Sequence, residues 1–551
     1  MTTNPDKKMK KTVVIINFNT PEMAEAAIMS LRKHGGKDYR VIVFDNSTDV
    51  NYPENNTMGA MKMCARPFTR KMPGVEVIDN TKGQVIDLEA ELAKFPYKDD
   101  FGAKVNNNGS ARHIMTVQAL FDIVPDGFLL LEPDVLLKKS VDFMFQPNRC
   151  AVGYIQEHQP GNRFDIPRMV PMLCYINPKR CKESGVRYYD PNRCWMLTDG
   201  RSQKSNWYDT GASFLEDIKT HKAQGSSGIK LGRDVYMSLM EHYGSGSWQR
   251  DKTRRSDGVP AEKWLMSHSK LWMPETWARP KSDKVVICAI GRLENKYAKE
   301  FVAHHLKLGF DKIIIYDNNH DGEESFDKVL KTYITKKQVE IIDWCNREHD
   351  QCYAYRDCYV RYGNDYQWIA FFDFDEHLKL TTAKNIKEVL NGIDADCVSL
   401  SWRTMTDNNL VVYSAGTLEK RFTQPAPEKT KDHNGIVANY FLKSIVRGGL
   451  PWIYWVHPHT PVLKGTRLYI DGVTKLDGGA CYQHPDYSVA RLDHFTTKTI
   501  SEWMTNKVVR GFGCKPSNTE KLRNNPVSVF FCYNEITPTK MDWLKMNGFI
   551  K

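Results

Sequence analysis

The sequence predicts an α/β protein made of two tandem Rossmann-like domains, each built on a mainly parallel central sheet. Three observations predict it. Short apolar runs open the two halves, Val13-Val14-Ile15-Ile16 and Val285-Val286-Ile287-Cys288, and each leads through a helical stretch to a second run ending in aspartate, Val41-Ile42-Val43-Phe44-Asp45 and Ile313-Ile314-Ile315-Tyr316-Asp317. The step from first run to aspartate is 32 residues in both halves, Val13 to Asp45 and Val285 to Asp317. A third apolar run in each half ends in carboxylates, Phe128-Leu129-Leu130-Leu131-Glu132-Pro133-Asp134 and Ile369-Ala370-Phe371-Phe372-Asp373-Phe374-Asp375. Open α/β sheets hold ligands in the crevice at their strand ends, so the repeated acids mark two candidate sites.

Each element has its own signal. Thr20-Pro21-Glu22 is a helix start, with a capping hydroxyl, proline at the first helical position and an acid in the first turn. Ala27 and Leu31 continue a helical face up to Gly35-Gly36, which end it. Strand, helix and strand at this connection length form a βαβ unit, hence parallel pairing. Ser110 can cap a second helix with Ile114, Val117, Phe121 and Val124 on one face and Pro125 as its stop. Its counterpart carries Cys352, Tyr355, Tyr359 and Tyr362 and stops at Gly363. Residues 138–275 are rich in glycine and tryptophan and read as mixed structure with loops over a site. Pro274 to Asp283 holds two prolines and polar residues. The expected organisation is a first domain over 1–275, a linker over 276–284 and a second domain over 285–551.

With 551 residues, 41% hydrophobic and 26% charged, the chain reads as globular rather than disordered or fibrous. No apolar run approaches the roughly 18 residues of a membrane span, and the lysine-rich start has no apolar segment of the secretory kind. Thirteen cysteines without a CxxC pair read as free thiols in a reducing compartment. A cytoplasmic protein is expected. The net charge of +11 suits anionic partners such as phosphates or sugar nucleotides, and it permits peripheral contact with a membrane face. Nucleic acid is not expected as a partner, since no binding motif or dense basic block occurs.

Asp373-Phe374-Asp375 is the sharpest chemical feature. Two carboxylates two residues apart at a strand end point to the same side and can hold a hard divalent cation, which would neutralise a departing diphosphate. Glu132-Pro133-Asp134 occupies the same place in the first half, with Asp134 the better ligand. Asp45 and Asp317 can accept from a base or ribose, or can serve as turn aspartates, for which Asp45-Asn46-Ser47 and Asp317-Asn318-Asn319 are equally suited. Late histidines offer third metal ligands: His268 in the first half, and His494, with Lys498 one helical turn on, in the second. His457 and His459 are further candidates.

These residues resemble two branches of one enzyme class. Val13 to Pro21, Val41 to Ser47, Asn108 to Ala111 and Leu130 to Val135 resemble family 2 glycosyltransferases, the rhamnosyltransferase-like members included, with Glu132 where aspartate or asparagine is usual. The second half resembles the family 92-like glycosyltransferases through Arg292, Glu294, Glu300 and His304-His305. Tyr316-Asp317-Asn318, Gln351, Phe372 to Leu378, Lys443 to Arg447 and His494 to Lys498 continue that match. The resemblance implies two GT-A folds, nucleotide-sugar donors (UDP-, GDP- or dTDP-sugars), Mn2+ or Mg2+ at the acids, and inversion at the anomeric carbon. It adds Asn17, Arg292, Glu294 and Lys498 to the donor-binding candidates. Inversion needs a carboxylate base: Asp217 or Asp209 by likeness to family 2, and Asp407 from its place between the acid pair and the late histidine.

The function expected is a bifunctional, metal-dependent glycosyltransferase acting on a growing glycan or a lipid-linked saccharide. The alternative is a catalytic second domain with the first as acceptor-binding or scaffolding module, which the Glu132 departure favours. A nucleotidyltransferase would need a glycine-rich phosphate loop, and neither Asn17-Phe18-Asn19 nor Ala289-Ile290-Gly291 provides one. A non-enzymatic glycan-binding protein would account for the aromatic residues but not for the strand-end acids.

Overall fold

In the computed structural model, residues 11–35, 38–52, 61–93, 109–157, 167–190, 195–196, 207–208, 210–244, 261–514 and 516–551 are described. The chain divides into two compact units, Met1–Glu275 and Thr276–Lys551. Both are α/β and both carry the expected sheet.

In the first unit, β1 (Thr12–Asn17) is buried along its whole length, as a strand covered on both faces must be. Helix α1 (Pro21–Gly35) returns the chain to β2 (Arg40–Asp45), which pairs parallel with β1 in the register Val13 to Val41 and Asn17 to Asp45. Strand β3 (Val75–Asp79) extends the parallel set beyond β2. Helix α2 (Gly109–Ile123) precedes β4 (Phe128–Leu131), which pairs parallel on the other side of β1. Helix α1 falls where its cap and stop predict, whereas α2 begins at Gly109, so that Ser110 lies inside its first turn and not at its cap, and ends at Ile123, before Pro125. The acid turn follows β4 and leads into the short β5 (Val135–Leu137). Beyond β4 the sheet is no longer uniformly parallel. With β6 (Ala151–Gln156), β7 (Leu173–Ile176) and β8 (Gly228–Leu231), the order is β8-β6-β7-β4-β1-β2-β3, and β7 runs antiparallel to both neighbours. Helix α3 (Ala212–Thr220) precedes β8, and β9 (Met240–His242) pairs antiparallel with β5.

The second unit repeats the plan. Strand β10 (Val285–Gly291), helix α4 (Asn295–Lys307) and β11 (Lys312–Asp317) set Gly291 against Asp317 in parallel register. Helix α5 (Phe326–Thr335) and β12 (Val339–Asp343) follow, then α6 (Gln351–Tyr362) and β13 (Trp368–Phe371), parallel to β10. The acid turn leads into β14 (Glu376–Leu380). With β15 (Cys397–Thr404), β16 (Leu442–Arg447) and β17 (Ala490–His494), the order is β12-β11-β10-β13-β16-β15-β17-β14, and a further strand, Arg467–Tyr469, joins β15. Here too the four strands of the βαβ units are parallel, and antiparallel pairing begins at β16.

Residues 276–284, expected as a linker, are part of the second unit. Trp277 packs against its core, and Arg279 pairs with Asp396 at 2.5 Å. Proline content marked an irregular segment, and the tryptophan and arginine dock it. All the described cysteines are free thiols, and no helix among the described residues is long and apolar enough to cross a membrane.

Candidate functional site

The two acid turns are built alike. After β4, Val135 N donates to Glu132 O at 3.2 Å, and after β13, Glu376 N donates to Asp373 O at 3.0 Å. The strand leaving each turn is met by an antiparallel partner whose last residue is a histidine, with Val135 opposite His242 and Glu376 opposite His494. One bond then closes both arrangements: Tyr243 N donates to Asp134 O at 3.0 Å, and Phe495 N to Asp375 O at 2.8 Å. As a result His242 Nε2 stands 3.4 Å from Asp134 Oδ2, and His494 Nε2 stands 3.6 Å from Asp375 Oδ1.

His494 was expected in this role. In the first unit the expected histidine, His268, lies elsewhere: its Nδ1 bonds Trp264 O at 2.9 Å and its ring packs on Trp264. His242 takes the place instead. The signal was in the sequence, because Met240-Glu241-His242-Tyr243 repeats the apolar, acid, histidine, aromatic order of Leu492-Asp493-His494-Phe495.

The ligand atoms of Glu132, Asp134 and His242 lie within 4.8 Å of one another. Oxygen donors with one imidazole suit Mn2+ or a neighbouring first-row divalent cation, so the first unit's residues fit a metal. His113, on α2, brings Nε2 to 3.9 Å from Glu132 Oε1, and burial holds its pKa down to about 4 against the pull of Asp134.

The second unit differs in how its acids are held. Asp373 Oδ1 accepts from Gln351 Nε2 at 2.6 Å and from Tyr355 OH at 2.8 Å, and Lys443 Nζ, wholly buried, lies 2.9 Å away. Asp375 is 3% exposed and faces Lys498 Nζ at 3.7 Å and Arg510 at 3.4 Å. Burial works to raise its pKa, but Lys498, His494 and Lys507 together hold it far below the usual carboxylate range. A cation here would share Asp375 with these residues, so the donor set of Asp375, His494 and Asp373 fits a metal less openly than that of the first unit. Lys507 and Arg510 come from one helix running from Ile500 to Arg510, and Lys498 stands just ahead of it. A capping box of Thr499 and Glu502 starts it, and a π-helical stretch, Trp503–Lys507, interrupts it. π-Bulges are frequent at functional sites. This one places Lys507 and Arg510 on the wall of a cleft of about 110 Å³ shared with Arg292, Glu294, Asp373 and Asp375.

Among the donor-binding candidates, Arg292 and Glu294 line that cleft. Arg292 grips Glu323 through two N–H bonds, Nε at 2.8 Å and Nη2 at 2.6 Å. Glu294 pairs with Arg510 and stands 3.8 Å from Lys498. Asp45, Asp317 and Asn17 have their hydrogen bonds filled within the chain. Asp45 accepts from Asn17 Nδ2, Ser47 N and Phe68 N, and Asn17 also donates to Ser47 Oγ and accepts from Thr20 N. Asp317 accepts from Asn319 N and Nδ2 and from Phe326 N. Burial raises the pKa of both aspartates. Of the two alternatives open for them, turn aspartate is the one these bonds support.

The base candidates are placed as follows. Asp209 lies outside the described residues. Asp217, on α3, is 3% exposed and accepts from Arg187 N at 2.9 Å. Asp407 pairs with buried Lys540 at 2.5 Å and accepts from Asn409 N. It borders a different pocket, with Gln424 and Phe531, and does not line the cleft at Asp375.

Comparison with known proteins gives the same class for the second unit. Residues 284–475 match the sequence profile of Glycosyltransferase family 92. The galactan beta-1,4-galactosyltransferase GALS2 of Arabidopsis thaliana is 24% identical over 237 residues, 41% of this chain and 44% of that protein. The beta-1,4-galactosyltransferase galt-1 of Caenorhabditis elegans is 26% identical over 167 residues, 28% of this chain and 38% of that one. A family 92 protein of Ricinus communis is 26% identical over 113 residues, 20% of either chain. The chain therefore spans less than half the length of these curated relatives. Among solved structures, the glycosyltransferase GlyE of Streptococcus pneumoniae TIGR4 overlaps 61% of this chain and 80% of its own at 12% identity and a TM-score of 0.26. The galactosyltransferase LgtC with donor and acceptor sugar analogues overlaps 48% and 97% at 15% identity and a TM-score of 0.26. The fold assignment rests on the strand order and registers above.

Proposed function

We propose that the chain is a bifunctional inverting glycosyltransferase, with one nucleotide-sugar site at each acid turn. The observation that carries this reading is the repeated geometry: in both units a histidine opposite the residue after the turn faces the second acid, at 3.4 Å and 3.6 Å. A scaffold module would have no need to keep that arrangement. The family 92 match supports a glycosyltransferase in the second unit.

Glu132, Asp134 and His242 would hold Mn2+ or Mg2+ in the first unit, and Asp373, Asp375 and His494 in the second. Bound there, the ion supplies charge neutralisation for the departing diphosphate. The chain's own cations do related work in the second unit. Arg510 and Lys507 line the cleft, and Lys498 stands beside Asp375. Cations fixed there stabilise negative charge as it develops on the leaving group. Asp217 is the base we assign to the first unit, where proton removal from the acceptor hydroxyl would follow release of its bond to Arg187 N. Two of the relatives are β-1,4-galactosyltransferases, so a UDP-hexose is the first donor to try on the second unit. The acceptor class we favour is a glycan or lipid-linked saccharide.

The test is nucleotide release from a panel of sugar nucleotides with Mn2+, comparing wild type with Asp134→Asn and Asp375→Asn. Each variant is expected to lose a different donor by at least about 100-fold, the scale on which lost charge stabilisation reads. If Asp134→Asn is without effect on every donor while Asp375→Asn abolishes turnover, the first unit is a binding module and the bifunctional reading fails.

A further inference from the structure

A second cluster of metal-type donors lies behind the acid turn of the second unit, outside the cleft. We propose that His304, His377 and Glu419 form a structural site for a zinc-type divalent cation. His304 Nδ1 lies 3.1 Å and His377 Nδ1 3.3 Å from Glu419 Oε1, and one ligand atom from each of the three falls within 4.8 Å of the others. Ligands held tetrahedrally at about 2.0–2.1 Å from zinc are about 3.3 Å apart. The present spacing is therefore that of a coordination edge.

The hydrogen bonds point the same way. His304 Nε2 lies 2.7 Å from the Leu378 carbonyl oxygen, which can only accept, so Nε2 carries a proton and Nδ1 is the ring atom left to face Glu419. A carbonyl partner that fixes the tautomer in this way is the usual support of a metal-bound histidine. A proton or a cation must stand between Nδ1 and the carboxylate at 3.1 Å, and the three-ligand spacing lets a cation take that place. His377 is wholly buried, its ring lies 4.7 Å from that of His304 at 19°, and its Nδ1 is the atom turned toward Glu419. Glu300, whose Oε1 is 3.9 Å from His377 Nδ1, offers a fourth position.

Lys379 is the competing group. Its Nζ lies 2.6 Å from Glu419 Oε1, on a side chain 30% exposed, which can swing to solvent when a cation enters. The three ligands come from α4, β14 and the short helix Leu418–Arg421, so the ion would tie these segments around the strand that leaves Asp375.

The experiment uses the full chain carrying Asp134→Asn and Asp375→Asn, to weaken both acid-turn sites, loaded with zinc and freed of excess. Elemental analysis is expected to find one zinc per chain, and zinc is expected to raise the melting temperature. Adding His377→Phe, which fills the same space, or Glu419→Gln should remove both effects, while Lys379→Met should tighten zinc binding. The proposal is overturned if the double variant holds no zinc, or if its zinc survives His377→Phe and Glu419→Gln. If those variants do not fold, Lys379→Met decides: binding no tighter than in its parent counts against the site.

Discussion

His113 shows what a single side chain can report. It sits on α2 beside Glu132, and neither ring nitrogen makes a hydrogen bond among the described residues. Burial lowers its pKa from 6.5 to about 4. The unfolded chain therefore binds more protons than the folded one between these values, so stability is lost as pH falls from about 6.5 toward 4. The size is on the order of 3 kcal/mol. A melting series over that window should show the decline in wild type and a flatter profile in His113→Gln; equal slopes would assign the acid sensitivity to other groups. At this scale the acids were legible in the sequence, since strand-end carboxylates announce themselves by the apolar run before them. The histidines were legible only in part. His494 stood in a recognised string and His242 in a likeness of it, Met240-Glu241-His242-Tyr243, but the pairing that brings His242 to Asp134 joins two three-residue strands, too short to show any period.

At the scale of elements, the turn in the second unit depends on a residue in a neighbouring strand. Gly291 ends β10, and a Cβ built on it would lie 2.5 Å from Phe374 and 2.8 Å from Phe326. Phe374 stands between Asp373 and Asp375 and stacks on Phe326 at 5.1 Å. Gly291→Ala is therefore expected to displace Phe374 and both acids with it. The overpacking should cost about 1–3 kcal/mol and lower turnover of the second unit's donor while leaving the first's intact. Unchanged melting temperature and donor release would mean that Phe374 has room to move. In the first unit the equivalent register position is Asn17, opposite Asp45, and Pro133 replaces the phenylalanine, so a side chain is accommodated there, and it ties the turn after β2 through Asp45 and Ser47. The parallel core of each sheet could be read from apolar runs and helix caps. The antiparallel additions could not, because β7 and β16 are chosen by long-range pairing and not by local pattern. The Ile500–Arg510 helix, which brings Lys507 and Arg510 to the cleft, likewise depends on burying Trp503 and Glu502.

At the scale of the whole molecule, the two sites proposed for one chain would have a consequence that separate enzymes lack. If the product of one unit is the acceptor of the other, covalent linkage makes the second encounter intramolecular, with an effective concentration that can reach the millimolar range when the connection spans the sites. The advantage then depends on dilution. In the intact chain, the ratio of doubly to singly extended product should stay constant as enzyme is diluted. For an equimolar mixture of chains 1–275 and 276–551, each first shown to release its own nucleotide, the ratio should fall with concentration, because the intermediate must diffuse to its second enzyme. Equal dilution curves for the two preparations would show that the sites act on unrelated acceptors, or that their geometry forbids transfer. A ratio that falls only for the mixture would explain why the acid turn, the facing histidine and the closing backbone bond recur twice in one polypeptide: the duplication would then hold an intermediate on the chain that consumes it.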